Sequence, residues 1–115
     1  MIKFAIAAVT LLASTVASLA MTGDRWVALC SQGASETELA SCAAYVRGVA
    51  DMVQVMQQAS PEVAKACIPF DKTGNDLAKE IFPRIAELGA ADRGKQAVIL
   101  VWGAFMLAYP CTPKP

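Results

Sequence analysis

The residues with the clearest chemical potential in this sequence are four cysteines, at positions 30, 42, 67 and 111. A thiolate can act as a nucleophile or bind a metal, whereas pairs of thiols in an oxidising compartment form disulfides. The chain contains no histidine, so it offers no Cys-His or Ser-His nucleophilic pair and no imidazole metal ligand. The cysteines therefore indicate covalent bracing rather than catalysis.

Two other chemistries are weaker alternatives. A four-cysteine zinc site uses closely spaced cysteine pairs, which this sequence lacks. Carboxylate catalysis is formally open because ten acidic residues are present. However, Glu36 and Glu38 fall in the first turn of a predicted helix, where acids favour the helix dipole. Asp51 follows Arg47 by four residues, as a surface ion pair does. We expect no enzyme, no metal and no cofactor.

The first twenty residues have the pattern of a secretory signal. Lys3 precedes an apolar stretch, and small residues end the segment at Ser18-Leu19-Ala20. Polar residues dilute the apolar stretch, which argues against a retained membrane anchor. We predict a signal peptide over residues 1–20, export to the periplasm, and one mature domain over residues 21–115.

The charge balance narrows the choice of partner. The chain has ten basic and ten acidic residues, and removal of Lys3 leaves nine basic ones. A net charge near −1 gives no general attraction to nucleic acid or to anionic lipid. A domain of this size buries a limited core, so disulfides have a clear stabilising purpose.

The longest predicted helix runs from Ser35 to Ala59. Ser35 and Glu38 form a capping-box pattern at its start. Behind it, apolar residues recur at steps of three and four, which places them on one stripe. The stripe consists of Leu39, Cys42, Val46, Val49, Val53 and Met56, and the opposite side carries Arg47, Asp51, Gln54 and Gln58.

Three further helices complete an all-α bundle of about four helices. A short one from Asp24 to Leu29 would be anchored by Trp26. Another begins near Thr73 and presents Leu77, Ile81, Ile85 and Leu88; Pro83 should kink or split it, and Gly89 should end it with a left-handed cap. The last runs from Asp92 to Ala108. Between Ala97 and Tyr109 every residue but Gly103 is apolar, so we expect the other helices to surround it.

Helix geometry selects one pairing of the four cysteines. Cys42 lies near the start of the long helix, about 25 Å from its end at 1.5 Å per residue, and Cys67 lies beyond that end. If the later helices pack antiparallel, Cys111 returns beside Cys67 and Cys30 stays beside Cys42. We therefore predict the disulfides 30–42 and 67–111.

Three short motifs carry a resemblance to a known family. They are Cys42-Ala43-Ala44-Tyr45-Val46-Arg47-Gly48, Cys67-Ile68-Pro69 and Tyr109-Pro110-Cys111. Together they resemble the Rap/Tai family of immunity proteins, which protect against type VI secretion amidases. The resemblance implies a small exported helical protein, often dimeric, that binds a peptidoglycan amidase in the periplasm and blocks its active site.

The motif residues themselves have structural interpretations. Gly48 inside a helix suggests that another backbone passes close by, with Gly103 at the same crossing. Tyr45 can bury its ring while its hydroxyl finds a partner. Pro69 and Pro110 would fix turns beside cysteines.

The best candidate for partner contact is the segment from Pro69 to Asn75, which carries Phe70, Asp71 and Lys72 beside a disulfide. A braced loop binds a cleft at low ordering cost. The alternative is an ordinary connection in which Phe70 packs into the core. The loop from Ser31 to Ser35 is a second candidate.

Two other functions stay open at this point. A periplasmic acid-stress chaperone resembling the small Hde proteins would also be helical, exported and disulfide-bonded, and would expose apolar surface in acid. A carrier with an apolar pocket between helices is suggested by Met52, Met56 and Met106 as adaptable lining.

Overall fold

The computed structural model describes residues 20–111, so the predicted signal peptide lies outside the described residues apart from Ala20. Within that range the chain forms six helices and no strand, which confirms the all-α bundle. The helices are α1 (Gly23–Cys30), α2 (Glu36–Ala59), α3 (Pro61–Ala64), α4 (Gly74–Ala86), α5 (Ala90–Arg93) and α6 (Ala97–Ala108).

Side-chain capping boxes set the starts of α2 and α4. At α2, Ser35 Oγ accepts from the Glu38 amide at 3.1 Å and the Glu38 carboxylate accepts from the Ser35 amide at 2.9 Å, so the predicted capping box is confirmed. Thr73 and Asp76 form a second capping box at α4. Each box satisfies amides that a helix start leaves without partners.

Helix α4 begins at the predicted place but ends differently. It continues through Pro83 and ends at Ala86, so it is not split there. The proline ring is exposed and less than one turn from the helix end. Because Pro83 has no amide hydrogen, the last turn of the helix loses one backbone hydrogen bond there. Gly89 is not a left-handed cap: its φ is −67° and it precedes α5.

The predicted helix from Asp92 to Ala108 is interrupted before α6. The Gly23 amide donates to the Lys95 carbonyl at 2.9 Å, and the Ala97 amide donates to the Met21 carbonyl at 2.7 Å. These bonds form a short antiparallel bridge between Thr22 and Gln96. The chain therefore pairs with the start of α1 at this point instead of continuing the α5 turn.

One core joins the longer helices and the segment before α4. Trp26 is fully buried, as predicted, and packs against Phe82, with 6.1 Å between the two ring centroids. Along α2 the predicted stripe is buried except at its ends, where Leu39 is exposed and Met56 half-buried. The other large buried side chains are Ile68, Leu77, Ile81, Ile85, Val101 and Phe105.

Helix α6 is not surrounded by the other helices. Its buried side consists of Ala97, Val101, Ala104 and Phe105, whereas Ile99 and Leu107 are 56% and 69% exposed. Every residue of α6 is apolar or glycine, so the sequence carries no period that could separate its two sides. Within residues 20–111, no helix is long and apolar enough to span a bilayer.

The closest backbone approaches involve different glycines from those predicted. A Cβ at Gly48 or Gly103 would meet nothing within 4 Å. A Cβ at Gly74 would lie 2.6 Å from the Ala43 carbonyl oxygen, and one at Gly23 would lie 2.7 Å from the Arg93 carbonyl oxygen. The absence of a side chain thus allows the first turns of α1 and α4 to pack against their neighbours.

Both predicted disulfides are present, with sequence separations of 12 for Cys30–Cys42 and 44 for Cys67–Cys111. On the chain-entropy model, loops of these lengths raise the free energy of unfolding by about 3 and about 4 kcal/mol. We expect Cys67→Ser/Cys111→Ser to lower the denaturant midpoint more than Cys30→Ser/Cys42→Ser. Equal midpoints for the two double variants, at unchanged denaturant dependence, would contradict this ranking.

Candidate functional site

The predicted contact segment connects α3 to α4 and is fixed at both ends. At its start, Cys67 is bonded to Cys111, and its amide donates to the Tyr109 carbonyl at 2.7 Å. At its end, Thr73 caps α4. The chain between these points therefore has little freedom to rearrange.

Phe70 lies at the turn of this segment and is 65% exposed. The alternative in which its ring packs into the core is wrong. Ile68, two residues earlier, is 1% exposed and fills the core position of the segment, and the turn begins at Phe70. Asp71 is also exposed. We call Phe70 and Asp71 the contact tip.

Three polar side chains of α2 hold the backbone on both sides of the contact tip. Gln57 accepts from the Ile68 amide at 2.9 Å and donates to the Ile68 carbonyl at 3.1 Å. Gln54, only 6% exposed, donates to the Pro69 carbonyl at 3.2 Å. Arg47 donates to the Lys72 carbonyl at 2.8 Å. We call these three residues the loop clamp.

The loop clamp is internally connected. Arg47 Nη2 donates to Gln54 Oε1 at 2.7 Å and lies 2.9 Å from the Asp51 carboxylate. The predicted Arg47–Asp51 ion pair is confirmed. The sequence pattern placed Arg47 and Gln54 on the polar side of α2 but did not reveal that this side covers the segment, and it missed Gln57. The pairing of one glutamine with both backbone groups of Ile68 leaves no periodic signal in the sequence.

Lys72, predicted as a contact residue, is engaged within the protein. Its Nζ lies 2.7 Å from Glu80, and the Tyr109 hydroxyl donates to the same carboxylate. The hydrogen bond from Lys72, followed by that from Tyr109, holds the pKa of Glu80 below its usual value. Burial and the Glu80 carboxylate raise the pKa of Tyr109 to about 12. The charge of Lys72 is therefore largely matched by Glu80.

A second surface is an apolar groove of about 490 Å³ between α2 and α6. Tyr45 and Gly48 border it. Burial raises the pKa of Tyr45, and a hydrogen bond with the Val98 backbone partly opposes this shift. Met52 and Met56 line it as the carrier hypothesis required, but Met106 does not. We call it the α2–α6 groove; its lining is Ala44, Tyr45, Gly48, Val49, Met52, Val53, Met56, Val98 and Trp102.

The contact tip and the α2–α6 groove lie on opposite sides of α2. At 3.6 residues per turn, Gly48 and Met52 on the groove side are separated by about half a turn from Gln54 and Gln57 of the loop clamp. A molecule seated in the groove of one chain would therefore leave the contact tip of that chain accessible.

The Ser31–Ser35 loop has mainly structural contacts. Ser31 Oγ donates to the Val27 carbonyl at 2.6 Å at the end of α1, and Ser35 caps α2. The Cys30–Cys42 disulfide ties the helices that it connects. After α6, Pro110 lies between Tyr109 and the disulfide-bonded Cys111.

Comparison with known proteins identifies one family. The family model described as Rap1a immunity proteins matches residues 22–111. No curated protein matches the chain.

The lowered pKa of Glu80 predicts how the free energy of unfolding changes at acid pH. A carboxyl group with a lower pKa in the folded than in the unfolded chain stabilises the fold above its unfolded pKa, and this is lost as the pH falls through the folded pKa. We expect wild type to lose more stability than Glu80→Gln below about pH 5, measured by denaturant unfolding. Glu62→Gln is the control, and a Glu80→Gln profile parallel to wild type would refute the effect.

Proposed function

Because the chain belongs to the Rap1a family of immunity proteins, we propose that it binds a peptidoglycan amidase delivered by type VI secretion and blocks its active-site cleft. The family implies a protein effector as the partner, and the proposed mode of action is binding. The two disulfides, together with the family, indicate an exported protein. We propose the periplasm as its compartment and a cleaved signal peptide over residues 1–20 as its route.

The exposed ring of Phe70 on a fixed loop carries this proposal. An aromatic residue that is 65% exposed on a small domain gains free energy when a partner buries it. Because the disulfide, the caps and the loop clamp already order the segment, little conformational entropy is lost on insertion into a cleft. These features suit an inhibitory loop better than an ordinary connection.

Protection of cells from the effector tests the proposal. We expect the cognate amidase effector, when it is directed to the periplasm, to lyse cells unless this protein is exported with it. A variant lacking residues 1–20 is the matched control, because it would stay in the cytoplasm and should not protect. Equal killing with and without the exported protein would overturn the proposal.

We further propose that the protein forms a homodimer through α6 and the α2–α6 groove. The outer side of α6 is apolar along its length and has no charged residue. Met52 and Val55 of α2 extend this exposed apolar surface. Contiguous apolar patches of several hundred Å² mark interaction sites, and a second copy offers the same apolar chemistry to each chain.

A charge placed on this surface should separate the two copies. We expect Ile99→Asp to shift the protein from dimer to monomer in sedimentation analysis, because the partner would bury an unpaired carboxylate. Val63→Asp is the control, since Val63 is equally exposed but lies on α3. A monomeric wild type at micromolar concentration, or a dimeric Ile99→Asp variant, would exclude this interface.

A further inference from the structure

The contact tip is the part of the α3–α4 connection that the rest of the protein leaves unoccupied. Cys67 and Ile68 have hydrogen-bonded amides before it, and the Lys72 carbonyl and Thr73 amide are bonded after it. Within residues 20–111, Phe70 and Asp71 make no hydrogen bond or ion pair. Two residues thus project from a backbone that is held on both sides.

The charges around the contact tip leave a local excess of one negative charge. Arg47 is matched by Asp51, and Lys72 is matched by Glu80 at 2.7 Å. Glu80 is the main cause of the raised pKa of Lys72, and the Asp71 carboxylate contributes least, after Tyr109. An approaching partner therefore meets an aromatic ring beside a carboxylate that is available for pairing.

We infer that the contact tip fits an apolar socket bordered by a cationic side chain on the amidase, and that the loop clamp is a set of positioning residues for it. This inference rests on the proposed function. It assigns Phe70 and Asp71 to the partner and takes Lys72 out of the contact, since Lys72 serves to hold the segment against Glu80.

The two tip residues should act on different steps of binding. Burial of an aromatic ring in a socket slows dissociation, because truncated interface aromatics cost the most affinity. A charge that is matched across an interface accelerates association, and salt screens this effect. The loop clamp should affect both steps through the loop conformation, although its side chains do not touch the partner.

The tip is tested by binding kinetics with the purified amidase effector that this protein is proposed to block. We expect Phe70→Ala to weaken binding by about 30-fold, mainly through faster dissociation. We expect Asp71→Asn to slow association at low salt, with the difference from wild type disappearing at about 1 M salt. The controls are on α3: Val63→Ala truncates a similarly exposed apolar side chain, and Glu62→Gln removes an exposed carboxylate.

The loop clamp is tested without the effector. Gln57→Leu removes both bonds to Ile68, so hydrogen exchange of the Ile68 amide should accelerate by roughly five- to tenfold, and the free energy of unfolding should fall in proportion. Gln58→Leu is the matched control, because Gln58 is the exposed next residue of α2. The same Gln57→Leu variant should bind the amidase more weakly than Gln58→Leu.

The outcomes separate this inference from the proposed function. If wild type binds the amidase and both tip variants match their controls, the socket is refuted and the immunity function stands. If Ile68 exchange is unchanged in Gln57→Leu, the loop clamp is refuted, whatever the amidase does. If wild type does not bind the amidase, the proposed function fails and the socket fails with it.

Discussion

The Cys67–Cys111 disulfide is the constraint on which the rest of the arrangement depends. It joins the segment before α4 to the end of α6, two parts of the chain separated by 44 positions. The Tyr109 carbonyl bonds to the Cys67 amide at the same point, and the Tyr109 hydroxyl bonds to Glu80 of α4. One covalent bond therefore places the end of the bundle, the contact segment and α4 side by side, and the polar contacts then fix their orientation.

Helix α2 separates two surfaces of opposite character. Its polar side does not face solvent alone; Gln54 is almost fully buried and, with Gln57, satisfies backbone groups of the contact segment. Its other exposed side is apolar and faces the groove beside α6. Because buried backbone groups cost free energy without partners, glutamines suit the first side, since each supplies a donor and an acceptor. The groove side of α2 does not cover the backbone groups of the contact segment, and small and flexible apolar residues line it.

Much of this fold could be predicted where local chemistry determines it. The capping box at Ser35, the apolar steps along α2 and the burial of Trp26 each follow from interactions within a few residues or from one strong hydrophobic anchor. The disulfide pairing followed from helix length and antiparallel packing. The break before α6 could not be predicted, because it results from pairing with Met21 and Gly23, far away in sequence. The exposure of Phe70 and the role of Gln57 likewise depend on how the segment meets α2. For α6, a uniformly apolar sequence cannot indicate which side is covered.

The bridge between Thr22 and Gln96 has a consequence for how the molecule can be attached to anything else. It anchors the beginning of the described chain to the first residues of α6, whereas Tyr109, at the other end of that helix, lies with the contact segment. At 1.5 Å per residue these two ends are about 18 Å apart. A tether, surface linkage or fused domain joined ahead of residue 20 would thus leave from the end of the bundle where α6 begins, opposite the end that holds the Cys67–Cys111 disulfide.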